Sequence, residues 1–328
     1  MPLLKSDFNP SILFKNTHLN TIYRALNTKS KVDYTRERVI TWDNDFIDLD
    51  FSFKNSKSIV LLIHGLEGNS LSSYILSSVN HLNKEGFDTV SMNLRGCSGE
   101  DNVSLQTYHS GKTDDVDFII NHLSKKYNYE NIILCGFSLG GNMILKYLGE
   151  SKQISEKVKG GIAVSVPVDL TTAQLELSKF KNKIYMIDFM KSLKRKISEK
   201  SKKHKEYVID KSKLEKATQF IHIEELYTAP VFGFDSPMDY YKKASSKPYL
   251  SKIKHKTLLI NAKNDSFLSK ECYPIQEARE SENFYLLMPN HGGHVGFISN
   301  FTSENNWLEN QIVNFINEKL NISPQTKQ

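Results

Sequence analysis

Residues 131–147, NIILCGFSLGGNMILKY, constrain the fold of this chain more than any other stretch. A branched apolar run ends at Gly136 and a helix-spaced apolar pattern begins just after Ser138, so a strand must pass into a helix through a very tight turn. Gly136, Ser138 and Gly140 stand in GxSxG spacing. Such a turn strains the serine backbone, and a glycine two residues to either side makes the close approach possible. It also lifts the Ser138 hydroxyl clear of the sheet edge, with the Leu139 amide at the helix start facing the same point. Five-residue matches of this kind arise by chance in many chains. The strand before it and the helix after it are the context that gives this one chemical meaning.

The same rhythm extends in both directions. Ser58–Ile63, SIVLLI, is a continuous apolar run of the kind expected for a parallel strand covered on both faces. HGLEGNS follows, and Gly65 lets the chain turn so that the Leu66 amide can join that of Leu139 in an oxyanion hole. His64 reads as a structural histidine that fixes this loop. Helical spacing over 73–84 stops at Gly86, and residues 87–94 form the next strand, ending in the glycine-containing loop NLRGCSGE. Residues 113–127 read as a helix with aspartates early and lysines late, matching the helix dipole. Residues 159–168 are another buried strand. Strands and helices alternating from 58 to 168 predict a mostly parallel, doubly wound α/β sheet. Ahead of it, residues 34–42 and 47–53 flank the turn-forming DND and predict an antiparallel hairpin. Residues 1–30 show no clean period and read as an arm across the domain with at most a short helix.

The alternation stops near Asp169. From there to about Lys247 the chain is helix-prone, with a turn-rich GFDSPMD, and strands resume only at 257–262 and 283–288 before a closing amphipathic helix over 306–320. The chain therefore divides into an arm (1–30), a first core segment (31–168), an inserted basic helical cap (169–247) and a second core segment (248–328), with 321–328 read as a frayed end. Residues 179–216 hold fourteen Lys and Arg against five Asp and Glu, so within a chain of net charge +6 the remainder carries minus three. The lysines of KSLKRKISEKSKKHK are interleaved with serine and glutamate and have no aromatic platform beside them. They read as a solvated helix face, with no nucleic acid expected as partner and weak contact with an anionic membrane surface as the lesser reading. Phe180, Ile184, Met186 and Phe189 either line a pocket or make the core of the cap.

Bulk properties exclude several classes. The three cysteines, Cys97, Cys135 and Cys272, have no CxxC spacing and support neither a disulfide framework nor a zinc site. No apolar stretch approaches the roughly twenty residues of a membrane span, and the first residues lack a continuous apolar signal region, so a cytoplasmic protein is expected.

A serine is a weak nucleophile at neutral pH. It needs a histidine to take its proton and an acid to orient that histidine, each delivered by a loop at the carboxyl end of a strand. Asp265, in the KNDSF that follows TLLINA, meets the second demand, and Asp169 competes with it from an earlier strand end. His291 and His294, separated by two glycines in NHGGHVGF, compete for the first; spacing alone leaves both open.

Taken together and in this order, HGLEGNSLSSY, NLRGCSGE, GFSLGGN, KNDSF and HGGHVGF resemble the YheT-like branch of the α/β hydrolases. The resemblance runs from FKNTHLNTI to the final helix and includes DYYKKASSKPYL, which in that family marks the return from cap to core. It implies the α/β-hydrolase fold, with Ser138 as nucleophile, Asp265 as acid and His294 as base. It also implies hydrolysis of carboxylic esters, with short-chain esters or acylglycerols as substrates and no cofactor or metal. The chain differs from eukaryotic members in showing no apolar N-terminal segment and in its lysine-rich cap. A non-catalytic binding protein of the same fold is the alternative, as is a thioesterase or amidase using the same three residues.

Overall fold

The structure is a computed structural model and describes residues 2–26, 31–150, 153–302 and 306–323. Of the segments read as arm and frayed end, residues 1, 27–30 and 324–328 lie outside the described residues.

Nine strands form one sheet: β1 (Leu3–Leu4), β2 (Thr35–Ile40), β3 (Phe46–Ser52), β4 (Ser58–Ile63), β5 (Asp88–Asn93), β6 (Asn131–Phe137), β7 (Val158–Val164), β8 (Lys256–Ile260) and β9 (Phe284–Leu287). Their spatial order is β1-β9-β8-β7-β6-β4-β5-β3-β2. Only β3 pairs antiparallel with its neighbours, β2 and β5, which is the hairpin expected from the alternation around DND. All other pairs are parallel.

The apolar runs are long because each strand is covered on both faces. On β4, Ile59, Leu61 and Ile63 pack into one core, whereas Val60 and Leu62 pack into the other. The first core is closed by α3 (Thr113–Lys126) and α4 (Leu139–Glu150), and the second by α2 (Ser73–Lys84) and the last helix. That last helix, Trp307–Asn314, continues as a π-helical turn over Phe315–Lys319 and buries Ile312, Val313 and Ile316, as its spacing predicts. Because β4 is flanked by β5 on one side and β6 on the other, the strand order reverses there. In open α/β sheets, ligands bind at the carboxyl ends of strands beside such a reversal.

The N-terminal segment holds a short helix, which its reading allowed for, and an edge strand that its pattern did not announce. It contributes the short edge strand β1 and a ten-residue helix, α1 (Thr17–Leu26). Its apolar period was hidden because the face that α1 buries is polar: Asn20, Thr21 and Arg24. Arg24 forms a buried ion pair with Glu309 of the last helix.

Between β7 and β8 the chain is helical: α5 (Leu170–Leu177), α6 (Lys183–Lys203), α7 (Lys211–Lys216), α8 (Phe220–Ile223), α9 (Ala229–Phe232) and α10 (Pro237–Ala244). These helices have a core of their own that includes Met186, Met190, Ile197 and Phe220. Phe180 and Ile184 contradict the expectation that they line a pocket or fill this core. They are 86% and 64% exposed, because the turn into α6 and its opening residues present them outward, while Met186 packs inside. The solvated reading of the basic run needs correction too. Lys196, Lys200 and Lys203 recur on one stripe of α6 and point down onto core acids, with Lys196 meeting Glu67 at 2.6 Å and Lys200 and Lys203 meeting Asp101 at 3.1 and 2.6 Å. Lys200 also donates to the carbonyls of Asn102 and Ser104. Charge segregation along the sequence thus becomes charge contact in space. Among the described residues no helix is long and apolar enough to cross a membrane.

A second ionic anchor ties the hairpin to the parallel core. The Arg95 side chain is fully buried and reaches Asp43 at 2.6 Å, Asp45 at 3.2 Å and Asp115 at 2.7 Å. Removing the cation while leaving its partners strands buried carboxylates, so Arg95→Met is expected to lower unfolding free energy by about 3–5 kcal/mol. Urea denaturation of both proteins measures it, and a loss below about 1 kcal/mol would contradict the anchoring role.

Candidate active site

Ser138 sits between β6 and α4 with φ +52°, a left-handed conformation that a non-glycine residue adopts only under constraint. The neighbouring glycines make it possible for steric reasons. A Cβ on Gly136 would stand 2.7 Å from the Gly141 nitrogen and overlap the Gly140 carbonyl. One on Gly140 would stand 2.6 Å from the His64 carbonyl oxygen. Gly65 is held against the serine itself, since its missing Cβ would lie 3.1 Å from Ser138 Cβ. The loop carrying Leu66 is thereby pressed onto the turn. Leu66, Leu139, Ser138 and His294 line one cavity of about 140 Å³ whose walls are mainly apolar and come from the sheet's loops and from the helices between β7 and β8.

The two ambiguities left open by spacing receive a geometric answer. His294 Nε2 stands 3.0 Å from Ser138 Oγ, and His294 Nδ1 stands 2.8 Å from Asp265 Oδ2. In the neutral ring with its proton on Nδ1, that N–H donates to Asp265 and Nε2 accepts from the serine hydroxyl. Asp265 is itself oriented by the Phe267 amide, which donates to Oδ1 at 2.9 Å. Asp169 instead caps α5, accepting from the Thr172 amide at 3.1 Å. His291 has no bond to Ser138, and its Nδ1 is buried without a hydrogen-bond partner. Such an arrangement can move a proton from Ser138 to His294 while a fixed carboxylate stabilises the charged ring.

Several residues that hold this geometry carried no clear signal in the sequence. The Thr21 hydroxyl accepts from the His294 amide at 2.9 Å, and the Asn264 side chain accepts from the Gly293 amide at 3.1 Å. Asn20 donates to the Ile298 carbonyl and accepts from its amide. The histidine loop is therefore clamped by α1, and the FKNTHLNTI stretch was the available hint. Phe267 stacks on the His294 ring at 4.2 Å between centroids.

The Leu66 loop is held equally firmly. The Gly65 amide donates to Tyr74 Oη at 2.9 Å, and the Glu67 amide donates to Tyr108 Oη at 2.9 Å. Glu67, at φ +55°, receives Tyr108 and Lys196 on one carboxylate oxygen and Ser192 on the other. Burial raises this carboxyl, but the Lys196 charge and these hydrogen bonds outweigh it and leave the group below the ordinary carboxylate range. His64 has the structural role expected of it: Nε2 accepts from the Leu94 amide at 3.1 Å, so Nδ1–H donates to the Gly65 carbonyl at 2.7 Å. Among the described residues no group of three or more His, Cys, Asp and Glu side chains is placed to hold a metal ion.

Comparison with known proteins identifies the fold family. Residues 58–301 match a family model described as the alpha/beta hydrolase fold. The chain is 31% identical to a candidate esterase, YheT of Escherichia coli, over 95% of this chain and 93% of that protein. It is 28% identical to a mouse phospholipase, ABHD3, over 90% of this chain and 74% of the relative. Among solved structures, the Pyrococcus furiosus esterase Pf2001 superposes with a TM-score of 0.60 at 18% identity, covering 87% of this chain and 91% of that one.

The buried histidines define a pH window. Burial pushes His64 down to about 4 and His109 down to about 3, so the folded protein keeps both neutral where the unfolded chain, titrating near 6.5, takes up protons. A depressed histidine contributes stability that is present above about pH 6.5 and is lost as pH falls towards 4. His64 alone is expected to account for a loss of about 3 kcal/mol across that window. Urea denaturation near pH 7 and near pH 4.5 measures it, and His64→Gln should show a smaller drop than wild type. An equal drop in both proteins would contradict the assignment.

Proposed function

We propose, from the premise that this chain belongs to the α/β-hydrolase fold family and to its YheT-like branch, that it is a serine hydrolase cleaving carboxylic esters through an acyl-enzyme. The observation carrying the proposal is the unbroken relay from Ser138 through His294 to Asp265, with contacts of 3.0 and 2.8 Å. In this reading His294 takes the Ser138 proton as Oγ attacks the ester carbonyl. The amides of Leu66 and Leu139 receive the developing oxyanion. His294 then protonates the departing alcohol, and a water deprotonated by His294 releases the acid and restores the serine. Asp265 holds His294 in the tautomer that both half-reactions need.

The Glu67 network supports the role given to Leu66. An oxyanion donor contributes only if it is already aimed when charge develops, and the bonds on either side of Leu66, from Gly65 to Tyr74 and from Glu67 to Tyr108, remove its freedom. The cavity supports short to medium acyl groups. Its volume of about 140 Å³ is close to that of an engineered apolar cavity of about 150 Å³ that takes up benzene. Phe189, Leu193 and Phe220 of the cap supply its apolar wall. The relatives named as esterase and phospholipase support ester chemistry in general. The segment 169–247 is, on this reading, the cap that shapes the pocket, set on core segments 31–168 and 248–328 and crossed by the arm 1–30.

Two outcomes are expected. A fluorophosphonate probe should label wild-type protein and leave Ser138→Ala unlabelled, and that variant should lose at least about 1,000-fold in kcat on p-nitrophenyl esters. Absence of labelling of folded wild-type protein would instead favour a binding role for the same fold. Across a p-nitrophenyl ester series, kcat/KM should peak at short or medium acyl length; a steady rise to long chains would overturn the size argument.

A further inference from the structure

The cavity is apolar over most of its wall, yet two of the residues that line it carry a buried polar atom with no partner among the described residues. Glu224 opens a π-helical turn, Glu224–Thr228, directly after α8, and the residue is 9% exposed. Its Oε2 makes no hydrogen bond among the described residues. Tyr241 of α10 is 3% exposed, and its hydroxyl likewise makes none. Both residues line the cavity that holds Ser138 and His294.

Other polar groups on that wall are already engaged. Tyr240 Oη donates to Ser110 Oγ at 3.0 Å, Tyr227 Oη donates to the Leu105 carbonyl at 2.5 Å, and Tyr108 and Lys196 are spent on Glu67. On the lining residues, Glu224 Oε2 and Tyr241 Oη are therefore the buried side-chain atoms left unpaired, among the described residues. The two groups sense each other: burial first, and then the Glu224 charge, raise the Tyr241 phenol. The Thr228 side chain hydrogen-bonds the Glu224 carboxyl but leaves Oε2 unpaired. A buried carboxylate oxygen and a buried phenol hydroxyl without partners are costly, and apolar residues of similar size would fold more favourably. Interrupted helices with a π turn are also frequent at functional sites.

We infer that Glu224 and Tyr241 form a recognition site for a hydroxyl group carried by the substrate away from its ester bond. A hydroxyl is the complementary group because it both donates and accepts: its O–H donates to Glu224 Oε2 while its oxygen accepts from Tyr241 Oη. Burial holds the Glu224 carboxyl up at about 7, so both of its forms are populated near neutrality, and a hydroxyl pairs with either one. An ammonium could only donate and would leave the protonated carboxyl without an acceptor. The inference deepens the proposed esterase reading, since it assigns the substrate class of the same cavity. It leaves the hydroxyl two sources, the acyl chain or the alcohol.

The test compares kcat/KM for matched esters with and without one terminal hydroxyl, in a p-nitrophenyl acyl series and in an alkyl butyrate series varied in the alcohol. A preference of about ten- to a hundredfold for the hydroxylated member is expected in one series, and which series shows it identifies the source. The ratio should fall towards one in Glu224→Leu and fall in part in Tyr241→Phe. Glu224→Leu should melt at or above the wild-type temperature, because the unpaired carboxyl is gone; a lower melting temperature together with an unchanged ratio would make Glu224 a structural residue and overturn the inference. Equal kcat/KM within every pair would overturn it as well, while leaving the esterase reading intact. The same matched esters are also to be titrated against Ser138→Ala, where binding is read without turnover. Tighter binding of the hydroxylated member that disappears on adding Glu224→Leu would support the site even if wild-type protein hydrolysed no ester, which would sink the catalytic reading alone.

Discussion

The fold and the candidate site both depend on the close approach of three backbone segments around Ser138. The end of β4, the end of β6 and the first turn of α4 meet where Gly65, Gly136 and Gly140 have no Cβ. Side chains at these points would force the helix away from the sheet, and the strained serine conformation would have nothing to hold it. The strain is sustained by the cores above and below, in which β4 and β6 bury alternate residues on opposite faces. Stability from ordinary apolar packing is thus used to keep the Ser138 hydroxyl in an arrangement that an isolated peptide would not keep.

Around that point the protein is held from three directions by polar contacts rather than by more apolar area. The N-terminal helix α1 takes hold of the histidine loop through Thr21 and Asn20. The cap helix α6 reaches the Leu66 loop through Lys196 and Glu67, and reaches the loop after β5 through Lys200 and Lys203. Arg95 pins the hairpin turn to α3. Loops at the carboxyl edge of a sheet have little apolar surface with which to order themselves, so buried hydrogen bonds and ion pairs, which demand definite geometry, are what fix them. A lysine-rich helix α6 over slightly acidic surroundings follows from the same logic, because Lys196, Lys200 and Lys203 serve as attachments. Glu224 Oε2 and Tyr241 Oη stand apart from these contacts as buried polar atoms without a partner among the described residues.

Legibility in the sequence followed the kind of residue that each element buries. Helices 73–84 and 113–126 and strands β4 to β9 were readable within a residue or a few, since each buries apolar side chains at a regular period. The helix α1 was not, because it buries Asn20, Thr21 and Arg24, and a polar interface leaves no hydrophobic period. Phe180 and Ile184 misled for the converse reason: they are apolar but exposed, and composition does not say which way a helix is turned. Within the candidate site, Ser138 was marked by its glycines and by the strand and helix around it. The acid and base were narrowed only to pairs, Asp265 or Asp169 and His294 or His291, and family resemblance supplied the preference for His294.

What the sequence by itself determined is the alternation that requires a doubly wound sheet and the turn that places Ser138 at its edge. Both are local consequences of apolar period and of missing side chains at particular glycines. Tertiary packing brings His294 within hydrogen-bond reach of that serine and Asp265 within reach of His294. It also turns lysines of α6 inward and leaves Glu224 Oε2 and Tyr241 Oη unpaired, among the described residues, on residues that line one cavity. The reason is distance along the chain. Ser138 and His294 are 156 residues apart, and their 3.0 Å contact depends on how the sheet, α1 and the cap pack together, which no local pattern encodes.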